Sequence, residues 1–409
     1  MDIRISPSKL RGTLSIPASK SCAHRAIICA ALAKGESRLT GITMSKDIEA
    51  TIAAMSALGA SFEINGDTVI VRGTEGGIAS ADIDCNESGS TLRFVIPIAA
   101  AMGVKTIFRG RGRLPQRPID IYTRELSSRG ITFLSENMPY EMSGKLNGGV
   151  FRVEGNVSSQ FITGLLFALP LLENDSEILL TSHLESRPYV DITLDILKRF
   201  GISVEETENG FRIKGGQTYT PCSERVEGDY SQAAFFYVAN ALGSQVDIQN
   251  LLPGSVQGDR RIVDIIGRAV ENGRITGYSE DCSDVPDLVP ILSVLGAYGC
   301  KPSLIYNAER LRIKESDRLA ACADMLNSLG GNVTVTVDGL DIQPVEGLHG
   351  GIIDSFGDHR IVMAAAVAAL CCDGDVIIRG AEAAEKSYPD FFRDYRMLGG
   401  KADVIDMEQ

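Results

Sequence analysis

The chain has no tryptophan, and aromatic residues fill only 6% of its 409 positions, which leaves little material for platforms on which nucleic-acid bases stack. Basic residues are in deficit: 40 Lys and Arg stand against 53 Asp and Glu, a formal net charge of −13. That balance argues against a surface made for nucleic acid or anionic membrane, so any cationic site must be local. The four histidines (His24, His183, His349, His359) and the nine cysteines show no metal-ligand spacing and no C-x-x-C pair, and no metal is expected. Cys371 and Cys372 lie in an apolar run, where small buried thiols are the expectation. Apolar stretches such as 361–372 are too short to span a bilayer, and the start Met1-Asp2-Ile3-Arg4 has no apolar signal core. A cytoplasmic protein is expected. G-x-G-x-x-G, P-loop and G-x-S-x-G motifs are missing too, which removes the usual warrants for NAD, ATP or a serine hydrolase.

What is there is a repeat. Hydrophobic residues at 44% and charged residues at 23% are ordinary for globular proteins, and the length suits two or three domains. Six times a basic residue opens an amphipathic segment: Lys46, Arg117, Arg187, Arg260, Lys314 and Lys386, spaced 71, 70, 73, 54 and 72 residues apart. The matching segments end at Gly59, Gly130, Gly201, Gly273, Gly330 and Gly399, where a left-handed residue would stop a helix. A second series of apolar, small-residue segments opens at Ser21, Ser90, Ser159, Ser231, Asp287 and Asp358, and its fourth interval is again the short one. These segments are apolar nearly all round and predict buried helices. Alternating stretches such as 62–71, with a turn at Asn65-Gly66, predict strands between them.

Each unit reads strand-helix-strand-helix-strand-strand. From Lys386 to the C-terminus and on from Met1 to Lys46 is 69 residues, one further unit split between the two ends. The expected fold is therefore α/β (α+β), with six βαβαββ repeats and three per lobe. The expected lobes are residues 14–225, and 1–13 together with 226–409.

Chemistry concentrates at the segment starts. Ser19-Lys20-Ser21 lies where orphan N–H groups and the positive helix end favour an anion, and Arg25 shares a helix face with Ser21. Ser88-Gly89-Ser90 and Ser158-Ser159-Gln160 repeat that chemistry, while Asp287 and Asp358 bring carboxylates. Anion-binding and carboxylate starts are expected to alternate around one ring. Six basic openings would oppose the helix dipole, which suggests a cationic surface neutralised by an external anion. Lys314-Glu315-Ser316-Asp317-Arg318 and Gly357-Asp358-His359-Arg360 are either ion-pair networks or a site, and His359 alone reads as structural.

Nine motifs now fall in one order: S-K-S-x-x-x-R (19–25), S-G-S-T-L-R (88–93), Q-R-P-I (116–119), S-S-Q-F (158–161), R-P-Y-V-D-I-T (187–193), V-P-D (285–287), K-E-S-D-R (314–318), D-H-R (358–360) and K-S-Y-P-D-F (386–391). In this the chain resembles the 5-enolpyruvylshikimate-3-phosphate (EPSP) synthase family. The resemblance implies a two-lobed inside-out α/β barrel that transfers the enolpyruvyl group of phosphoenolpyruvate to the 5-hydroxyl of shikimate 3-phosphate, on the route to chorismate. It implies that Lys20, Ser21, Arg25, Ser158, Ser159, Gln160, Ser186, Asp287 and Lys314 hold shikimate 3-phosphate. Lys20, Gly89, Arg117, Gln160, Arg318, Arg360 and Lys386 would hold phosphoenolpyruvate. Asp287, Glu315 and Lys20 are nominated for proton transfer, with no metal or organic cofactor and with a monomer as the working unit. His24, Glu87 and Arg310 depart from the family pattern. The sister transferase acting on UDP-N-acetylglucosamine carries a Cys in the loop before its R-P motif, and the loop 109–116 has none. A non-catalytic anion-binding repeat protein is the other alternative.

Overall fold

The computed structural model describes residues 1–405, which form two compact units: Ala18–Glu227, and Met1–Pro17 with the chain from Gly228 on. We call them the N-terminal and C-terminal units. Twelve α-helices run through the described residues: α1 (Lys20–Leu32), α2 (Lys46–Ala57), α3 (Gly89–Met102), α4 (Asp120–Ser127), α5 (Ser159–Ala168), α6 (Arg187–Arg199), α7 (Tyr230–Ala241), α8 (Arg261–Ala269), α9 (Val289–Ala297), α10 (Arg318–Ser328), α11 (His359–Ala368) and α12 (Phe391–Met397). The odd-numbered helices are buried almost throughout and form the centre of each unit's core, as their all-round apolarity predicts. The even-numbered ones bury one face.

Sheets repeat one topology. In Ser80–Asp84, Lys105–Arg109, Tyr140–Gly144 and Ile131–Phe133, a parallel pair is followed by two antiparallel pairings. Three such four-stranded sheets lie in the N-terminal unit and two in the C-terminal unit. The remaining repeat, built around α7 and α8, is the short one. Its sheet shrinks to Arg11–Ser15 paired with Gln245–Gln249, plus the small hairpin Val270–Glu271 and Arg274–Ile275. The ends close on each other, for Asp2–Ser6 lies between Val376–Arg379 and Lys401–Ile405, antiparallel to both. The units change over between Pro17 and Ala18 and between Glu227 and Gly228. Leu14 and Ser15 still pair with Ile248 and Gln249, which keeps them with the C-terminal unit.

Several expectations need correction. All six predicted stop glycines have positive φ, but Gly273 turns the small hairpin instead of ending a helix. The turn after Asn65 is made by Gly66-Asp67, because Asn65 itself pairs with Thr68. Of the six basic residues expected to open amphipathic helices, only Lys46 and Arg187 are first residues of a helix. Arg260 caps α8, while Arg117, Lys314 and Lys386 stand at the ends of 3-10 turns before α4, α10 and α12. Those three cations are therefore not aligned against a helix dipole. Serine and aspartate starts do not alternate either. Ser19, Ser88 and Ser158 cap α1, α3 and α5 in the N-terminal unit, and Asp229 and Asp358 cap α7 and α11 in the C-terminal unit. Cys371 is only partly buried, and all nine thiols are free.

Candidate active site

In the N-terminal unit the candidates gather at the starts of the three serine-capped helices. Each capping hydroxyl accepts an orphan N–H: Ser19 from Cys22, Ser88 from Thr91 and Ser158 from Gln160. Lys20 Nζ is held 2.8 Å from Asp47 Oδ2, in the first turn of α2, with both side chains largely shielded. Arg25 is buried against Phe94. It donates to the Ser21 carbonyl (2.7 Å), Thr193 Oγ1 (2.8 Å), the Tyr189 carbonyl (2.9 Å) and Thr163 Oγ1 (3.5 Å). Burial lowers its pKa to about 10. Four donors are thus committed to tying α1 to α5 and α6, so Arg25 shapes its surroundings as much as it could bind a ligand.

Gly89 begins α3 directly beneath the Arg117 guanidinium, close enough that any side chain there would collide with it. Gln160, in the first turn of α5, accepts from Arg93 Nη1 (2.9 Å) and donates to Ser90 Oγ (3.0 Å), which locks its amide between two helix starts. A proline shapes the neighbouring backbone. Pro97 removes the N–H that would bond the Arg93 carbonyl, and Tyr122 Oη lies 2.7 Å from that carbonyl instead. Gly164 lets α5 approach closely enough, for a Cβ there would strike both groups. Ser158 and Ser159 share the start of α5, and Ser186 stands before α6 in left-handed conformation with φ 55°.

In the C-terminal unit the carboxylates and cations form one connected cluster. Asp287 lies in a 3-10 turn leading into α9. Its Oδ1 accepts from Arg318 Nη1 (2.9 Å) and its Oδ2 from Arg360 Nη2 (2.7 Å). Arg318 also donates to Glu315 Oε2 (2.7 Å) and, through Nε, to Asp358 Oδ2 (2.8 Å). Asp358 is fully buried, accepts from Ser316 Oγ (3.0 Å) and caps the Arg360 N–H (3.0 Å). Lys386 donates from Nζ to the Gly357 carbonyl at 2.8 Å, just before that cap. Burial alone would push Asp287 up, but Arg360, Arg318 and Lys314 outweigh it and hold its carboxyl well below the ordinary carboxylate range. Burial draws Lys314 down to about 8, against the pull of Asp287.

Glu315, Arg318, Asp287 and Arg360 are thus linked in that order by ion pairs, Gly89 lies beneath Arg117, and Arg25 bonds the Ser21 carbonyl. Asp47, Arg93, Ser316 and Asp358 hold the site residues in place. Sequence reasoning gave none of them that role: Arg93, Ser316 and Asp358 stood inside quoted motifs, and Asp47 stood in none. Among the described residues no group of His, Cys, Asp or Glu could hold a metal ion, and no helix is long and apolar enough to cross a membrane.

Three comparisons bear on this constellation. A family model described as EPSP synthase (3-phosphoshikimate 1-carboxyvinyltransferase) matches residues 5–395. Proteins named 3-phosphoshikimate 1-carboxyvinyltransferase from Clostridium novyi (strain NT) and Clostridioides difficile (strain 630) are 46% and 44% identical to the chain, each match covering 99% of both sequences. A solved EPSP synthase from Acinetobacter baumannii superposes with a TM-score of 0.82 at 23% identity, over 98% of this chain and 100% of that one. At that identity the structural match speaks for the fold alone.

Proposed function

The chain belongs to the EPSP synthase family, and from that premise we propose how its residues carry out the family reaction, transfer of the enolpyruvyl group of phosphoenolpyruvate to the 5-hydroxyl of shikimate 3-phosphate with release of phosphate. Lys20, Ser21, Arg25, Ser158, Ser159, Gln160, Ser186, Asp287 and Lys314 serve shikimate 3-phosphate. Lys20, Gly89, Arg117, Gln160, Arg318, Arg360 and Lys386 serve phosphoenolpyruvate. Both substrates carry a carboxylate and a phosphate, and arginine forks match such oxygens in pairs.

Chemistry proceeds by addition and elimination. The methylene carbon of phosphoenolpyruvate takes up a proton while the 5-hydroxyl loses one and attacks the neighbouring carbon, giving a tetrahedral phospho-ketal. Loss of a proton from the new methyl group and departure of phosphate restore the double bond. Both steps need general acids and bases around the reacting carbon, the roles given to Asp287, Glu315 and Lys20. The observation that carries this reading is the grip on Asp287, one oxygen on Arg318 and the other on Arg360. It keeps the carboxylate ionised, so Asp287 enters as a proton acceptor. Lys314, drawn down to about 8, is available in both protonation states near neutral pH. We read the working unit as a cytoplasmic monomer acting on these two small molecules without nucleic acid or membrane. In support, each compact unit has a hydrophobic core of its own and needs no second copy to complete one.

Two measurements test the proposal. Phosphate release from phosphoenolpyruvate should require shikimate 3-phosphate and fail with UDP-N-acetylglucosamine. Asp287→Asn should lower kcat by roughly a hundredfold or more, the usual range for a proton-transfer group, while shikimate 3-phosphate binding by calorimetry falls far less. An unchanged kcat would remove Asp287 from the chemistry.

A further inference from the structure

Four side chains on three helices form one hydrogen-bonded line behind the start of α3. His24 Nδ1 on α1 lies 2.7 Å from Thr51 Oγ1 on α2, which lies 2.7 Å from Thr91 Oγ1 on α3. Thr91 Oγ1 in turn donates to Ser88 Oγ at 2.8 Å, and Ser88 also accepts the Thr91 N–H at 3.1 Å as the cap of α3. All four residues are buried. Each hydroxyl has one proton to give, so the direction of the line is set from its end. Because Thr91 donates to Ser88, it accepts from Thr51, and Thr51 accepts from His24. The imidazole therefore carries its proton on Nδ1. Its other nitrogen, Nε2, is buried without a hydrogen-bond partner among the described residues, which a bare lone pair tolerates better than an N–H would. Burial, aided by Lys20 and Arg25, lowers the His24 pKa well below the ordinary histidine value, so the ring stays neutral. With both its acceptor positions filled, Ser88 has only its own O–H left to give at the turn containing Gly89.

We propose that His24 is a positioning residue for phosphoenolpyruvate: as the Nδ1–H tautomer it orients Thr51, Thr91 and Ser88, and so fixes the start of α3 on which the phosphate of that substrate rests. The inference depends on the reading of Gly89 as part of the phosphoenolpyruvate site, and it links that site to the helix that carries Lys20 and Ser21. An asparagine amide can place an N–H where Nδ1 stands, whereas leucine cannot.

The test compares steady-state kinetics of His24→Leu, His24→Asn, Thr51→Val and Gly89→Ala, with thermal melts as a check on folding. His24→Leu and Thr51→Val should each raise KM for phosphoenolpyruvate about fivefold or more, the scale of one lost buried hydrogen bond, with KM for shikimate 3-phosphate little changed. Their double variant should be no worse than the poorer single one, because both break one line. His24→Asn should recover most of the loss. If both KM values rise together, or neither moves, the inference is wrong. If Gly89→Ala also leaves the phosphoenolpyruvate KM unchanged, the fault lies with the placement of that substrate. If Gly89→Ala raises it while Thr51→Val does not, only the role of His24 fails. Nitrogen-15 NMR of histidine-labelled wild-type protein gives an answer independent of any variant's folding: a protonated Nδ1 with a bare Nε2 supports the line, and the opposite tautomer overturns it.

Discussion

The guanidinium of Arg117 lies against the α-carbon of Gly89: a Cβ built on that glycine would sit 2.6 Å from Arg117 Cζ and 2.8 Å from Nη2. Two residues proposed for the same substrate thus share one small space, and the missing side chain of one is what lets the other in.

Gly89→Ala should therefore displace Arg117 and impair whatever both hold. A weakened charge-assisted hydrogen bond is worth about 1.5–3 kcal/mol, or roughly ten- to a hundredfold in affinity. Phosphoenolpyruvate and a phosphonate mimic of it such as glyphosate should lose affinity on that scale, with shikimate 3-phosphate changed much less. Equal losses for both substrates, measured by KM and by inhibitor titration, would reject the placement.

Asp358→Asn should destabilise the protein and lower activity together. Its buried carboxylate holds Arg318 Nε and Ser316 and caps α11. Breaking a buried ion pair costs about 3–5 kcal/mol, an upper bound here because Arg318 keeps Asp287 and Glu315. Burial pushes this carboxyl up, but Arg318 and His359 pull harder and hold it below the ordinary aspartate value. A depressed folded-state pKa contributes stability above the unfolded value that is lost as pH falls through the folded one. The gap in melting temperature between wild type and Asp358→Asn should accordingly narrow below about pH 4. A gap independent of pH would show that the charge of Asp358 does not matter.

These pairings show where a sequence stops being informative. The repeat was legible because spacing and helix-stop glycines are local, and five of the six glycines do follow helix ends. The closure of the chain on itself was legible from the same count, and Asp2–Ser6 joins the C-terminal strands. Side-chain pairing was not. Lys20 meets Asp47 and Arg318 meets Asp358 across different helices, and no periodicity within one helix encodes such a contact. Local chemistry also misled: Arg117, Lys314 and Lys386 recur at the right interval, yet they sit at the ends of 3-10 turns, where the helix-dipole argument does not apply. Tyr122 reaches Arg93 only because Pro97 leaves a carbonyl unbonded, and that relation needs the packing of α3, α4 and α5.

Lys314→Met should raise stability at neutral pH while it removes activity. Burial lowers the lysine to about 8 from 10.5. Between those values the unfolded chain binds more protons than the folded one, so stability rises with pH across that window, and the charged buried lysine costs stability below it. The variant lacks that cost. Its melting temperature should exceed the wild-type value by a few degrees at pH 7, and the difference should shrink as pH rises from 8 towards 10. A variant that melts lower at pH 7 would mean that the attraction of Asp287 outweighs burial.

The last prediction concerns Asp47, which no motif singled out. Its carboxylate holds Lys20 Nζ at 2.8 Å, with the two side chains only 14% and 17% exposed. Such a shielded pair is stronger than a surface one. Lys20 is assigned to both substrates and to proton transfer, so freeing its ammonium should act on all three quantities at once. Asp47→Asn keeps the size of the side chain and one acceptor oxygen but removes the charge. It should raise KM for shikimate 3-phosphate and for phosphoenolpyruvate together and lower kcat, in contrast to Gly89→Ala, which should discriminate between the substrates. Initial rates with each substrate varied at saturating levels of the other separate these patterns. A rise confined to one substrate would show that Lys20 serves only that one, and unchanged kinetics would show that Asp47 does not position it.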